Sequence, residues 1–227
     1  MIQQQTLRDF IEAHTALLPV AFVPEIKLLQ ANDMTRVWHA YQELMGCQDV
    51  DVPYWAVVWA GGQALARHIL DDPEIVMGKS VLDLACGSGI GAIAAAKAGA
   101  GRVLACDTDP LAQMALALNA AYNEVDIDVC GEMNMKRPPE GIDVIIAGDI
   151  CYEQRMSHRL LRWLMMCKEA DIDVIIADPK RGYAPDRNPD VRVSALADYL
   201  VPTPLDIEGE ATREVVLWNV ETYSAAS

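Results

Sequence analysis

The chain has 227 residues, 52% of them hydrophobic, and a formal net charge of −15 at pH 7. This length and apolar content suit one folded α/β domain with modest extensions, and they exclude general disorder. Proteins that bind nucleic acid use Lys and Arg to neutralise phosphates, so the acidic balance argues against RNA or DNA and favours a basic, lysine-bearing partner.

The N-terminal region predicts a helical extension over residues 1–50. Residues 1–16 carry charged side chains without a long apolar core, so we expect no secretory signal, and a cytoplasmic location is the default. No apolar run of about eighteen residues occurs, which argues against a membrane span. Apolar spacing predicts a short N-terminal helix and a second helix over Met34–Met45, with an extended segment Pro19–Asn32 between them.

Aromatic residues are dense over 51–63, in a chain with five tryptophans, seven tyrosines and two phenylalanines. Trp55 and Trp59 precede a pair of glycines, Gly61 and Gly62, that opens a predicted helix. Aromatic faces stack on adenine and attract a sulfonium through cation–π contact. Trp59, which lies beside the glycine pair, is therefore a candidate cofactor contact, whereas Trp55 suits the core equally well.

The stretch Ser80–Gly91 predicts the centre of the fold: a buried strand up to Leu84, a glycine turn, and a helix that begins near Ile90. Gly87 and Gly89 lack a Cβ, so the turn can adopt positive φ and let a ligand lie against the backbone. The first N–H groups of the helix have no intrahelical partners and face that ligand with positive partial charge. The stretch therefore predicts a nucleotide-type cofactor site.

Two acidic residues indicate which cofactor fits. Asp107 ends the next apolar run, as a ribose-binding acid would. Asp83 lies in the strand, two residues before the turn Ala85-x-Gly87-x-Gly89, where a carboxylate would repel a pyrophosphate and attract a cationic amino-acid end. S-adenosylmethionine has an ammonium, a sulfonium and a ribose diol, and it suits both acids better than NAD. The alternatives are a loose dinucleotide pattern and an Asp83 that only caps the turn.

The rest of the sequence predicts alternating strands and helices. Further strands are predicted over Asp126–Cys130, Asp143–Gly148 and Asp173–Ala177, helices over Leu111–Tyr122, Gln154–Lys168 and Val191–Tyr199, and a terminal hairpin from Thr203–Glu208 and Arg213–Thr222. This order predicts an α/β fold with a doubly wound sheet that is parallel until its last, antiparallel strand. Asp149 and Asp178 follow two of these strands at their carboxyl ends, where ligands bind on such sheets.

Six cysteines occur without a C-x-x-C pair, and four histidines lack metal-ligand spacing. Cys86, Cys106, Cys130 and Cys151 lie in or just after apolar runs, where free thiols act as small core residues. We therefore predict a reduced interior and no metal site.

Three segments, Tyr54–Arg67, Val81–Gly89 and Gly148–Tyr152, together resemble the seven-strand protein-lysine methyltransferases of family 16. Among these the chain is most similar to the enzymes that methylate the β-subunit of electron transfer flavoprotein. Two residues depart from the family pattern: Ala60 replaces a proline, and Ala85 replaces the first glycine of the loop. Both replacements are small, so neither opposes cofactor binding.

The resemblance implies a class I methyltransferase domain over residues 51–227, with a Rossmann-like seven-stranded sheet, and S-adenosyl-L-methionine as cofactor. The predicted cofactor-binding residues are Trp59, Gly61, Asp83, Ala85, Gly87, Gly89, Asp107 and Asp149. Asp149 and Tyr152 are the predicted catalytic residues: the carboxylate would orient a neutral lysine amine and the tyrosine would wall its slot. Asp149, Glu153 and Asp178 would rim the mouth of that slot.

The implied partner is a lysine-bearing protein, the β-subunit of electron transfer flavoprotein, with no nucleic acid or membrane partner. A ribosomal-protein or small-molecule methyltransferase of the same fold is the first alternative. A cofactor-binding protein without chemistry and a small dinucleotide-dependent reductase are more distant ones, since the sequence lacks a Tyr-x-x-x-Lys pair for hydride chemistry.

Overall fold

A mixed sheet with helices on both faces makes up most of the protein, and the computed structural model describes residues 4–222. The strands are β1 (Ala16–Val20), β2 (Val23–Gln30), β3 (Ser80–Leu84), β4 (Arg102–Cys106), β5 (Asp128–Cys130), β6 (Val144–Gly148), β7 (Asp173–Asp178), β8 (Val193–Pro202) and β9 (Thr212–Val220). The helices are α1 (Gln4–His14), α2 (Met34–Met45), α3 (Ala60–Asp71), α4 (Ile90–Lys97), α5 (Pro110–Tyr122), α6 (Gln154–Glu169) and α7 (Leu205–Glu208).

Seven strands join in the order β5-β4-β3-β6-β7-β9-β8. Strands β3 to β7 pair in parallel, and β9 is antiparallel to both of its neighbours. The predicted doubly wound α/β sheet with an antiparallel last strand is therefore confirmed. The chain moves outward from β3 to β5 and then returns to β6, so the direction of winding switches between β3 and β6. Ligands bind at such switch points, beside the carboxyl ends of the strands.

Hydrophobic layers cover the two faces of this sheet. Val81 packs with Ile69 of α3 and Ile93 of α4 on one face. The next residue, Leu82, packs with Leu161 of α6 on the other, because successive side chains of a strand point to opposite faces. Burial on both faces explains the continuous apolar runs of the central strands.

The N-terminal part adds a two-stranded antiparallel hairpin, β1–β2, to the helices α1 and α2. Helix α2 has the predicted limits because Asp33 caps its N-terminus through the Arg36 N–H, and Gly46 ends it in the left-handed region. Ile11 and Tyr41 pack with Leu111 of α5. The domain limits 1–50 and 51–227 stay a prediction, and they reach residues 1–3 and 223–227, which lie outside the described part. No helix within residues 4–222 is both long and apolar enough to cross a membrane.

The predicted helix Val191–Tyr199 is wrong, because this segment is the edge strand β8, which pairs with β9 over most of its length. Alanine and leucine favour a helix locally, but ladder hydrogen bonds to a neighbouring strand override such weak preferences. The predicted extended segment Thr203–Glu208 is also wrong, since it holds the short helix α7, which ends at Gly209 in the left-handed region. The first strand of the terminal hairpin is therefore β8, which precedes the predicted segment Thr203–Glu208.

The predicted reduced interior is wrong for one pair of cysteines. Cys106 and Cys130 form a disulfide, because they end the adjacent parallel strands β4 and β5 and face each other in register. Spacing along the chain could not reveal this pair, since their strands are separated by α5. Cys86, Cys151 and Cys167 are free and buried, as small core residues are.

Candidate active site

The glycine turn after β3 adopts the left-handed backbone that its sequence predicts. Ala85, Gly87 and Gly89 have φ of 54°, 52° and 84°. A Cβ on Gly89 would run into the side chain of Leu116, so glycine is required there for space as well as for conformation. Ala85 adopts a conformation that costs an L-residue about 1–2 kcal/mol, which is why glycine is the usual residue at such a position. Helix α4 starts directly after this turn.

Asp83 ties the end of β3 to the start of α4. Its side chain is buried, with 2% exposure, and Oδ2 accepts a hydrogen bond from the Ala92 N–H at 2.8 Å. A Cβ at Gly91 would lie 2.9 Å from the same oxygen, so the helix can approach this closely only with glycine there. Burial raises the pKa of Asp83 to about 7, and the Ala92 hydrogen bond opposes that shift. Its contact with a cofactor stays a prediction.

Asp107 holds the glycine turn in place from the carboxyl end of β4. Its Oδ2 accepts the Gly87 N–H at 2.9 Å, and its Oδ1 accepts the Asp109 N–H at 3.0 Å. A carboxylate oxygen has two lone pairs, so each oxygen can still accept a hydroxyl donor. The geometry therefore suits the ribose role that the sequence predicts.

Asp149 follows β6 in a left-handed conformation, with φ of 57°. Its Oδ2 accepts the Gly62 N–H at 2.9 Å, and its Oδ1 accepts a hydrogen bond from Arg181 Nη2 at 3.0 Å. Burial raises the pKa of Asp149 to about 6, while the Arg181 guanidinium and the Gly62 N–H act in the opposite direction. The carboxyl group is therefore fixed in position by two donors.

The glycine pair at the start of α3 makes room for this carboxylate. A Cβ on Gly61 would lie 2.5 Å from Asp149 Oδ2 and 2.8 Å from the Ala177 carbonyl oxygen. A Cβ on Gly148 would meet the Gly62 nitrogen at 2.9 Å. The first turn of α3 therefore touches the carboxyl ends of both β6 and β7, and it does so only without side chains.

Three aromatic side chains lie together beside this site, and one of them, Trp59, contacts the Arg181 that binds Asp149. The Tyr54 ring lies 5.9 Å from the Trp59 ring and 5.1 Å from the Tyr152 ring, centroid to centroid. Trp59 Nε1 donates to the Tyr54 carbonyl oxygen, and the Arg181 guanidinium lies 5.6 Å from the Trp59 ring centroid. We call Tyr54, Trp59 and Tyr152 the aromatic trio. Trp55, by contrast, is 1% exposed and belongs to the core.

The structure changes the predicted mouth of the slot. Asp178 is fully buried, and its Oδ1 accepts the Arg181 N–H, so its predicted place on the rim is wrong. Glu153 is exposed and caps α6 by accepting the Arg155 and Met156 N–H groups. Sequence reasoning missed Arg181, which sits three residues beyond a strand end and comes to Asp149 only through the fold. No group of three or more potential metal ligands occurs among residues 4–222.

The strand order, the glycine turn and the acids at adjacent strand ends define a class I methyltransferase. A solved Pyrococcus horikoshii protein, described as a candidate RNA methyltransferase, has this fold: the TM-score is 0.57 at 14% identity, over 86% of this chain and 98% of that chain. The sequence profile of the ribosomal protein L11 methyltransferase (PrmA) family matches residues 65–151.

Two curated relatives show which family of methyltransferases the chain belongs to. The chain is 34% identical to the Rattus norvegicus electron transfer flavoprotein beta subunit lysine methyltransferase over 216 residues, which are 94% of this chain and 84% of the relative. It is 37% identical to the Homo sapiens protein of that name over 180 residues, 77% of this chain and 67% of the relative. The chain belongs to the electron transfer flavoprotein beta subunit lysine methyltransferase family, as its motifs predicted. Membership implies S-adenosylmethionine as the methyl donor.

Proposed function

We propose that this protein transfers a methyl group from S-adenosylmethionine to lysine Nζ atoms of the electron transfer flavoprotein β-subunit. One observation carries the proposal: the Asp149 carboxylate, fixed by the Gly62 N–H, lies beside the aromatic trio at the switch point of a methyltransferase sheet. The names of the relatives supply the substrate protein.

The residues around the glycine turn fit this cofactor. The free N–H groups at the start of α4 suit the carboxylate of the methionyl end, and Asp83 suits its ammonium. Asp107 suits the ribose hydroxyls, while Gly61, which lies against Asp149, and Trp59, which lies near Arg181, would face the sulfonium. When bound, S-adenosylmethionine supplies an electrophilic methyl group.

The chain's own residues would prepare the lysine amine. Arg181 places a positive charge next to the slot, and the rings of the aromatic trio, of which Tyr54 and Tyr152 are 39% and 41% exposed, would shield a bound lysine from water. Both effects would disfavour the protonated amine, whose pKa is about 10.4 in water. Asp149 keeps free lone pairs on both oxygens, so it can accept a hydrogen bond from the neutral lysine amine. That hydrogen bond would direct the lone pair of the lysine nitrogen at the methyl group.

Replacing Asp107 by Asn should weaken S-adenosylmethionine binding by about 10- to 100-fold, the equivalent of losing about 1–3 kcal/mol of hydrogen bonding to a charged acceptor. The amide can still accept the Gly87 N–H, which keeps the turn in place. Isothermal titration calorimetry on both proteins, with NAD as the control ligand, measures the change. Unchanged affinity, or tighter binding of NAD than of S-adenosylmethionine, would contradict the assignment.

The KM for the protein substrate should rise with ionic strength. A chain of charge −15 with the exposed Glu153 beside the slot attracts a lysine-bearing loop over long range. Salt shortens the Debye length from about 10 Å at 0.1 M to about 3 Å at 1 M, so that attraction fades. Initial rates at several salt concentrations measure this, and a KM that does not respond to salt would remove the electrostatic argument.

Labelling in a complete lysate tests the substrate. The protein is incubated with tritiated S-adenosylmethionine and lysate from the source cell, and the labelled band is identified by mass spectrometry. We expect the labelled band to be the flavoprotein β-subunit. A label on a ribosomal protein or on a small molecule would favour the alternative. A cytoplasmic location and the lack of nucleic acid and membrane partners stay predictions.

A further inference from the structure

Helix α6 carries a concentration of positive charge that the methyl-transfer site does not use. Arg155, Arg159 and Arg162 are exposed and lie on one face of the helix, because their spacing is four and then three residues. None of the three forms an ion pair with any residue in 4–222, although Arg67 and Arg213 do. The whole chain has 18 Lys and Arg against 33 Asp and Glu, so three unpaired arginines side by side are unexpected.

This arrangement does not serve the stability of the helix. Arg155 is the second residue of the helix, where the helix dipole disfavours a positive charge, and the N-cap carboxylate of Glu153 offsets this for Arg155 alone. Like charges three and four residues apart repel each other along the same face. The stability of the helix therefore does not explain the three arginines.

The arginines border a groove of about 960 Å³ that we call the α6 groove. Its other lining includes Met135, which lies in the loop after β5, and the exposed Met166. Methionine is flexible and polarisable, so such a surface adapts to a partner chain. Two carboxylates, Glu169 and Asp190, also line the groove, but neither lies within ion-pair distance of an arginine described here. Positive charge therefore predominates.

We propose that the α6 groove binds an acidic segment of the protein substrate. This inference rests on the proposed function. It adds a second contact with the substrate, in which the enzyme is positively charged and the substrate negatively charged. The lysine enters a slot beside Asp149 and Tyr152, and α6 begins just beyond it. From Arg155 to Arg162 the helix advances by about 10 Å, so the acidic segment lies within about 20 Å of the target lysine.

Opposite charges at two neighbouring places orient the substrate. The exposed Glu153 beside the slot attracts lysine, and the α6 groove attracts carboxylates, so a substrate that carries both docks in one orientation. Charge complementarity of this kind determines specificity and association rate more than raw affinity. The groove therefore selects among the many exposed lysines that a simple acidic slot would accept.

A matched pair of triple variants tests the groove. The first is Arg155→Gln/Arg159→Gln/Arg162→Gln, and the control is Lys27→Gln/Arg36→Gln/Lys97→Gln, which removes three exposed, unpaired cations elsewhere. A fluorescein-labelled octaglutamate peptide is titrated with each protein at low salt, by anisotropy. We expect the groove variant to bind it about 10-fold more weakly and the control variant within about twofold of wild type.

Steady-state kinetics link the groove to methylation. With the flavoprotein β-subunit, the groove variant should show a KM raised about 10-fold at unchanged kcat, since the arginines do not touch the reacting atoms. Equal loss of octaglutamate binding in both variants, no loss in either, or tighter binding of an oligouridylate of equal charge would overturn the inference. If wild type methylates no protein while only the groove variant loses octaglutamate binding, the proposed function fails and the preference of the groove for acidic peptide stands.

Discussion

Replacing Asp149 by Asn should lower kcat by about 100-fold or more, while the Kd for S-adenosylmethionine changes by no more than about threefold. The amide still accepts the Gly62 N–H, so the local backbone stays in place. It offers the lysine nitrogen no negative charge, and the Arg181 guanidinium keeps only Glu208, at 4.0 Å, as an ionic partner. Single-turnover methylation with saturating cofactor measures kcat, and calorimetry measures Kd.

The matched control for this variant is Glu153→Gln, which removes an exposed carboxylate four residues further along the chain, close to the slot. Gln can still cap α6, and we expect kcat to stay within about twofold of wild type because this side chain is exposed. If the two variants lose activity equally, Asp149 contributes only to the general negative field. If Asp149→Asn retains near wild-type kcat, the carboxylate only caps the turn.

Replacing Gly61 by Ala should lower kcat/KM by about 100-fold, although a methyl group is the only addition. Its Cβ would lie 2.5 Å from Asp149 Oδ2 and 2.8 Å from a backbone carbonyl oxygen, so the carboxylate has to move. A displacement of about 1 Å at a catalytic group can cost about 100-fold in rate. Overpacking should also cost about 1–3 kcal/mol of unfolding free energy, which thermal unfolding measures.

Gly182→Ala is the control for Gly61→Ala. Nothing lies within 4 Å of a Cβ at Gly182, and its φ is not in the left-handed region, so activity and stability should stay near wild type. Retained activity in Gly61→Ala would show that α3 can withdraw from β6 without disturbing Asp149. The close approach of the glycine pair would then have no catalytic consequence.

The sequence predicted the central strands and the cofactor turn well, because both depend on local signals. The apolar run up to Leu84 and the glycines that follow it favour a strand and a turn whatever the rest of the fold. Helix α2 has its predicted limits because Asp33 and Gly46 stop it at both ends. Strand β8 was missed, since its residues favour a helix locally and pair with β9 only in the complete sheet.

Within the site, sequence reasoning could identify residues that carry a motif, but not those that the fold brings to them. Asp149 and Tyr152 stand in one short motif after β6, whereas Arg181 reaches Asp149 from the loop after the neighbouring strand β7. The burial of Asp178 was missed for the same reason: an acid at a strand end looks identical in sequence whether it faces a ligand or a backbone N–H.

Methylation of the electron transfer flavoprotein β-subunit is best tested with that subunit in purified form. The β-subunit is incubated with S-adenosylmethionine and either wild-type protein or the Asp149→Asn variant, digested, and its lysine peptides are analysed by mass spectrometry. We expect methyl groups on one or two neighbouring lysines with wild type and a rate at least about 100-fold lower with the variant. If the β-subunit stays unmodified under all conditions and a different protein is methylated instead, the β-subunit is not the substrate.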